Sequence, residues 1–206
     1  MSEEESFNTD EFQHPLLLNG FKLNNEQDLI INDADGNDKL YHIQIYFNDE
    51  EEDHVCRIEI TVESDIYSIL RFEVTQNDFP EFVRTQPFKK LKFEDFTNKL
   101  TRALDNVRTN RSSFSAVFSD ETEDGILLTI KQQLEFKRVD IFKLHFHHLD
   151  DNELDYLNQQ AQYRYSYKLS QYDNEVRMLN DLFDHIRERN PKLCEQLLKG
   201  SKFGQK

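Results

Sequence analysis

The sequence predicts an α+β chain in which an antiparallel sheet is interrupted by a helix pair and followed by a long helix. Three observations carry this. Apolar and polar residues alternate over several short runs, the period of a half-buried strand. Two stretches between those runs are amphipathic at helical spacing. From Asp151 to Arg189 there is neither Gly nor Pro, and apolar residues recur in a heptad. A length of 206 residues suits one domain plus an appendage. Asp and Glu number 40 against 25 Lys and Arg, a formal charge of −15, yet the aromatic fraction of 12% argues for a packed core rather than a disordered polyanion. Five Gly and four Pro exclude collagen-like and low-complexity designs. No run approaches the roughly 18 continuous apolar residues of a membrane span, so a soluble chain is expected.

Residues 1–13 are acidic and without helical or strand period, and read as a solvated tail. PLLLNGFKL opens the domain, and DLII runs into the turn formers NDADGND. As a calcium loop that turn fails: with Gly36 sixth, Ile31 would be first and His42 twelfth, and neither supplies the required oxygens. YHIQIYF and VCRIEITV then alternate, with Ile43, Ile45 and Phe47 on one face and Cys56, Ile58, Ile60 and Val62 on the other strand's matching face. They flank the acidic loop NDEEEDH as a hairpin. SILRFEV follows, with Leu70, Phe72 and Val74 inward.

The helix pair comes next. TQNDFPEFVRTQ offers Asn77 or Asp78 as N-cap and Pro80 in the first turn. FEDFTNKLTRALDNV places Phe96, Leu100, Leu104 and Val107 in one stripe. RTQPFKKLK joins the two, giving a helix-turn-helix inserted between strands. SFSAVFS, with Phe114, Ala116 and Phe118 on one face, precedes a second hairpin made of GILLTIKQQL and VDIFKLHFHHL. Its inward residues are Ile126, Leu128 and Ile130 on one arm and Phe142, Leu144 and Phe146 on the other. The turn is Glu135, Phe136, Lys137, Arg138. A large aromatic among charges at a hairpin tip is unusual, because turns are polar and an exposed ring leaves apolar surface in water. It either folds back on its own sheet or meets a partner.

Asp150 or Asp151 can cap the long helix. Within it Tyr165, Leu169, Tyr172, Val176, Leu179, Phe183 and Ile186 alternate spacings of four and three, the seam of a coiled coil. Three heptads span roughly 33 Å. With Leu169, Val176 and Phe183 at the a positions, Lys168 at g faces Asp173 at e of a parallel partner. The alternative is that this helix packs along its own domain. Asn190–Pro191 ends it, leaving residues 190–206 as a loose, basic tail.

Catalytic chemistry is hard to find. His145, His147 and His148 suggest metal at first, but no carboxylate or Cys stands at ligand spacing, so no metal is expected. No phosphate cradle, nucleophile elbow or paired-Cys motif occurs, and the carboxylates lie in solvated runs. No enzyme activity and no cofactor are expected. Cys56 sits in the apolar parity of its strand as an inert thiol, Cys194 is far away in sequence, and no secretory signal opens the chain, so a reducing cytosolic compartment is expected. The negative charge argues against nucleic acid and membrane surfaces and for a protein partner.

Three stretches carry a family resemblance: RIEITVESDIYSILRFEVTQNDFPEFVRTQPFKKLKFEDFTNKL, LEFKRVDIFKLHFHHL and DDNELDYLNQQ. In order and spacing, over about residues 40–165, the chain resembles the spindle assembly abnormal protein six family, the centriolar cartwheel hub. The resemblance implies a small antiparallel β-barrel or sandwich head with an inserted helix-turn-helix, followed by a parallel coiled-coil dimer. It implies that heads associate by inserting a hairpin-tip Phe into an apolar pocket of the neighbour, and that nine dimers close a ring. Phe136, flanked by Glu135 and Lys137, matches the inserted residue, and Phe96 and Leu100 are expected to contribute to the pocket. The family's long spoke is missing, so the chain resembles the short paralogues of the family, or a hub protein truncated after its head.

The expected organisation is therefore a tail (1–13), a head (14–150), a long helix (151–189) and a loose tail (190–206). The expected role is a structural scaffold of the centriole, basal body, cilium or flagellum, in the cytoplasm and cytoskeleton. Its partners would be itself and other centriolar, basal-body or axonemal proteins. A coiled-coil DNA-repair scaffold of the same architecture is the alternative, disfavoured by the charge. Like-charged heads repel, so head contact should strengthen with added salt.

Overall fold

In the computed structural model, which describes residues 14–32, 37–49, 53–88, 90–119, 125–149 and 151–200, the alternating runs become the strands of one closed barrel. A short helix α1 (Pro15–Leu18) precedes β1 (Lys22–Asn32), β2 (Asp38–Asn48), β3 (Val55–Val62) and β4 (Asp65–Thr75). Helices α2 (Phe79–Thr85) and α3 (Phe93–Thr109) follow, then β5 (Phe114–Phe118), β6 (Ile126–Gln133) and β7 (Arg138–His148). A 3-10 turn (Asp151–Glu153) leads into α4 (Leu154–Arg189), and then comes α5 (Pro191–Gly200). Around the barrel the order is β1-β2-β3-β4-β7-β6-β5. Neighbours are antiparallel except β1 and β5, which close the barrel through a parallel contact of Asn32 with Val117.

A closed barrel gives each strand one face toward a shared interior, and the period-2 residues fill it. Ile43, Ile45, Cys56, Ile58, Ile60, Leu70, Phe72, Val74, Leu128, Ile130, Phe142, Leu144 and Phe146 all belong to one buried cluster. Burial pushes the Cys56 thiol up to about 12, with Glu73 adding to the effect, so this sulfur packs as an apolar group. At the start of β6, Gly125 has φ +123°, and a Cβ there would lie 2.0 Å from the Phe146 carbonyl oxygen. Only glycine fits so close to the β7 backbone.

The helix pair packs beside a short seam of the barrel. β4 and β7 pair only at Leu70–His148 and Arg71–His147. Beyond that point Gln86 continues the ladder with its side chain, donating to the Lys143 carbonyl at 2.7 Å and accepting from the Lys143 N–H at 2.9 Å. The stripe of α3, Phe96, Leu100, Leu104 and Val107, is buried and joins the same core. Phe79 lies 5.4 Å from Phe96, and Phe82 5.4 Å from Phe72. Each such side chain contributes about 1.5–3 kcal/mol by burial.

Two compact units divide at Ala161 and Gln162. The first two turns of α4 belong to the barrel unit, where Leu157, Gln160 and Ala161 are buried. The second unit carries the rest of α4 and α5. The segment after Asn190, expected to be loose, is helical through residue 200, and that reading is corrected. Asn190 accepts from the Leu193 N–H at 3.1 Å, and Pro191 follows it, so the dipeptide read as a stop also starts a helix. Residues 1–13, Gly36, Asp150 and residues 201–206 lie outside the described residues.

Candidate functional site

The β6–β7 hairpin closes tightly. Gln133 pairs with Arg138, and the Leu134 N–H donates to the Lys137 carbonyl at 2.8 Å, which leaves Glu135 and Phe136 at the apex. Two further bonds hold the arms. Arg138 Nε donates to Gln133 Oε1 at 2.8 Å, and the Gln133 N–H donates to the Ser113 carbonyl at 2.7 Å. Phe136 does not fold back on its sheet. At 89% exposure it is the most exposed large apolar side chain among the described residues. Glu135 and Lys137 beside it are exposed as well. An ordered turn thus presents an aromatic ring to solvent, an arrangement that lowers free energy only when something covers it.

A cavity of about 400 Å³ lies between the α2–α3 connection, α3 and the same hairpin. Phe88, Leu91, Ile141 and Phe142 supply apolar lining, and Lys99 and Arg102 of α3 line it with cations. Phe96 and Leu100, expected on a receiving surface, are each 0% exposed and lie in the barrel core, which corrects that assignment. The Phe96 ring stands 6.1 Å from that of Phe142 and supports the cavity from beneath. The α3 residues that reach the cavity sit on the turn of the helix beside the buried stripe.

Along α4 the predicted seam is on one uninterrupted helix. Tyr165, Leu169, Tyr172, Val176 and Leu179 are exposed, and Phe183 and Ile186 are half-buried, so among the described residues the first five seam positions are uncovered. Leu193 and Leu197 of α5, both exposed, continue the alternation of four and three beyond Ile186 through Asn190.

Residues 21–146 match the family described as the centriolar protein SAS N-terminal domain. The chain belongs to that family. Among solved structures, an N-terminal fragment of Leishmania SAS-6 with parts of its coiled coil, in a variant with a phenylalanine changed to glutamate, is 12% identical with a TM-score of 0.67. The match covers 84% of this chain and 98% of that one. A Drosophila melanogaster Sas-6 N-terminal fragment, dimerised via its coiled-coil domain and carrying a phenylalanine-to-aspartate change, is 14% identical with a TM-score of 0.55, covering 88% and 95%. The N-terminal coiled-coil dimer of C. elegans SAS-6 is 12% identical with a TM-score of 0.57, covering 77% and 99%. At these identities the likeness is one of fold. No curated protein matches the chain.

In this SAS-family head a buried polar cluster, invisible to the sequence reading, holds the first turns of α4 on the barrel. Glu59 of β3 is 1% exposed, and its Oε1 accepts from Arg71 Nε at 3.0 Å and Nη2 at 2.9 Å. The Tyr156 hydroxyl lies 2.7 and 2.8 Å from the two carboxylate oxygens, and Arg71 also pairs with Glu153. Gln160 bridges the Tyr156 hydroxyl at 2.7 Å and His14 Nε2 at 2.6 Å, and Tyr46 reaches the same nitrogen at 2.8 Å. The α4 contribution to this cluster therefore comes from Tyr156 and Gln160, one turn apart. Burial is the largest influence on Glu59 and raises it, while Arg71 and Tyr156 pull it back.

Other chemistry is sparse. Among the described residues no group of three or more His, Cys, Asp or Glu could hold a metal ion. His145 and His147 are exposed on β7. Among the same residues no helix is long and apolar enough to cross a membrane.

Proposed function

We propose that the chain is a non-catalytic, self-associating structural scaffold of a centriole, basal body or related microtubule organelle. Heads would associate through Phe136 and pair through the α4 seam. Family membership supports the organelle, and coiled-coil dimerisation in the Drosophila and C. elegans fragments supports the seam. The observation that carries the head contact is the exposed Phe136 on a pinned hairpin.

The receiving site is the cavity lined by Leu91, Ile141 and Phe142. It adjoins the hairpin that carries the tip, since Ile141 and Phe142 belong to β7. Two copies related by a twofold axis can then exchange tips reciprocally, the self-complementary geometry of an isologous contact. Glu135 would approach Lys99 and Arg102 of the neighbour. Burial of one ring contributes about 1.5–3 kcal/mol, so a single head contact is weak, in the micromolar to millimolar range of roughly −8 to −4 kcal/mol. Joining two heads through a seam converts later contacts into events at high effective concentration.

Sedimentation over a concentration series tests both contacts. Phe136→Glu should remove head association while leaving the folded signal intact, because the side chain has no packing to lose. Undiminished association would overturn the hairpin-tip assignment. Leu169→Asp combined with Leu179→Asp should remove the seam contact and leave the weak head contact in place, halving the mass at concentrations where wild type is a coil dimer. An unchanged mass in that variant means that α4 does not pair.

A further inference from the structure

A second groove shares Leu91 with the proposed head-contact cavity. It encloses about 810 Å³ between α2 and the start of α3, with Phe79, Val83 and Phe93 among its lining. These three are buried members of the barrel core, so the groove is floored by fixed apolar surface rather than by mobile side chains. Arg84 and Lys92, both exposed, line it with positive charge, and Glu94 is the one carboxylate among its described lining residues.

The charge around it departs from that of the chain. From Arg84 to Arg111 the sequence holds eight Lys and Arg against three Asp and Glu, in a protein whose net charge is −15. Arg84, Lys90, Lys92, Lys99 and Arg102 make no ion pair among the described residues, whereas Arg108 pairs with Asp105 and Lys143 with Asp140. Cations without an ion pair among the described residues, in so acidic a protein, form a short-range attractive patch inside a repulsive long-range field. A ligand that gains from it must come close enough to use the patch, and an apolar anchor is what holds it there.

We propose that the α2–α3 groove docks a short acidic peptide segment of a partner protein. One aromatic or aliphatic side chain fills the Phe79–Val83–Phe93 floor, and flanking carboxylates meet Arg84 and Lys92. Such a segment combines a buried anchor with charge-assisted bonds at the rim. A nucleic acid fits less well, because a phosphate backbone brings charge to the rim and leaves the apolar floor unused.

The test uses the full chain carrying Phe136→Glu, so that self-association and peptide binding are read separately. A fluorescein-labelled hexapeptide Glu-Glu-Asp-Phe-Glu-Glu is titrated by anisotropy. Saturable binding is expected, weakened by about tenfold or more when the peptide Phe is replaced by Ser, and by a similar factor when the protein carries Arg84→Glu with Lys92→Glu. Restoring Phe136 should leave peptide affinity unchanged at concentrations below self-association. The proposal is overturned by absence of saturable binding, by equal affinity for the Ser peptide, by indifference to the charge reversals, or by an oligo-dT of equal charge binding as tightly as the hexapeptide.

Discussion

Replacing Arg71 with Met should lower the unfolding free energy by about 3–5 kcal/mol, the effect expected when one partner of a buried ion pair is removed. Glu59 is almost wholly enclosed, and Arg71 supplies two of its hydrogen bonds as well as the compensating charge. The substitution leaves a carboxylate that must either stay charged without its counterion or take up a proton. It also removes the guanidinium that stacks 4.4 Å from the centre of the Tyr156 ring, so the first turns of α4 lose packing together with charge. Urea denaturation measures the loss, and hydrogen exchange over residues 154–161 should show it concentrated there. The companion variant Arg71→Met with Glu59→Gln removes both charges and should recover a large part of the stability, since a neutral pair has little desolvation penalty. The coupling read from the double-mutant cycle identifies the pair as the origin. A single variant within about 1 kcal/mol of wild type contradicts this account.

That cluster also shows where sequence reasoning stops. Strand faces are legible because a closed barrel buries one parity throughout, and Ile43, Ile58, Phe72, Leu128 and Phe142 all declare it by alternation. Glu59 and Arg71 fall on the opposite parity and read as solvent-facing charges. They are directly opposed across β3 and β4 and roofed by Tyr156, and neither register nor roof is visible along a single chain. β1 was partly hidden for a related reason. Its first half, KLNNEQ, has little apolar character, and it is a strand because it pairs along β2 from Lys22–Phe47 to Asn32–Asp38.

The candidate association site divides in the same way. Phe136 is legible as a lone aromatic among charges at a turn, a local anomaly that needs no tertiary knowledge. The receiving cavity is not, because its walls come from the α2–α3 connection, α3 and β7 together. Taking Phe96 and Leu100 for its surface mistook the strongest apolar stripe of α3 for a docking face, when a stripe that regular is what a helix spends on its own core. At the C-terminal end, the sequence around Pro191 reads as a helix breaker. Proline is also favoured at the first position of a helix, and with Asn190 before it the same two residues cap and start α5.

Acidification should loosen the same α4 root by a second route, through His14. This residue is 2% exposed; its Nδ1 accepts from the Leu16 N–H at 3.2 Å, so the one proton of the neutral ring sits on Nε2, beside the Tyr46 hydroxyl and the Gln160 side chain. Burial, with a smaller repulsion from His42, lowers its pKa from 6.5 to about 4. A second ring proton would sit on Nδ1, where the fold supplies the Leu16 N–H rather than an acceptor. Because the folded value lies below the unfolded one, the stabilising contribution is complete above pH 6.5 and is lost as pH falls toward 4. By pH 5 the loss amounts to about 2 kcal/mol. Many carboxylates also titrate in this range, so the measurement is a difference: denaturant unfolding of wild type and His14→Asn at pH 7.5 and pH 5. Asn retains a capping side chain for α1 and cannot take up the proton. Wild type should lose about 2 kcal/mol more than the variant between the two pH values, and parallel losses would exclude His14 as the group responsible. The same comparison under hydrogen exchange should show residues 154–161 opening first in wild type, since Gln160 is the α4 residue that shares the imidazole nitrogen.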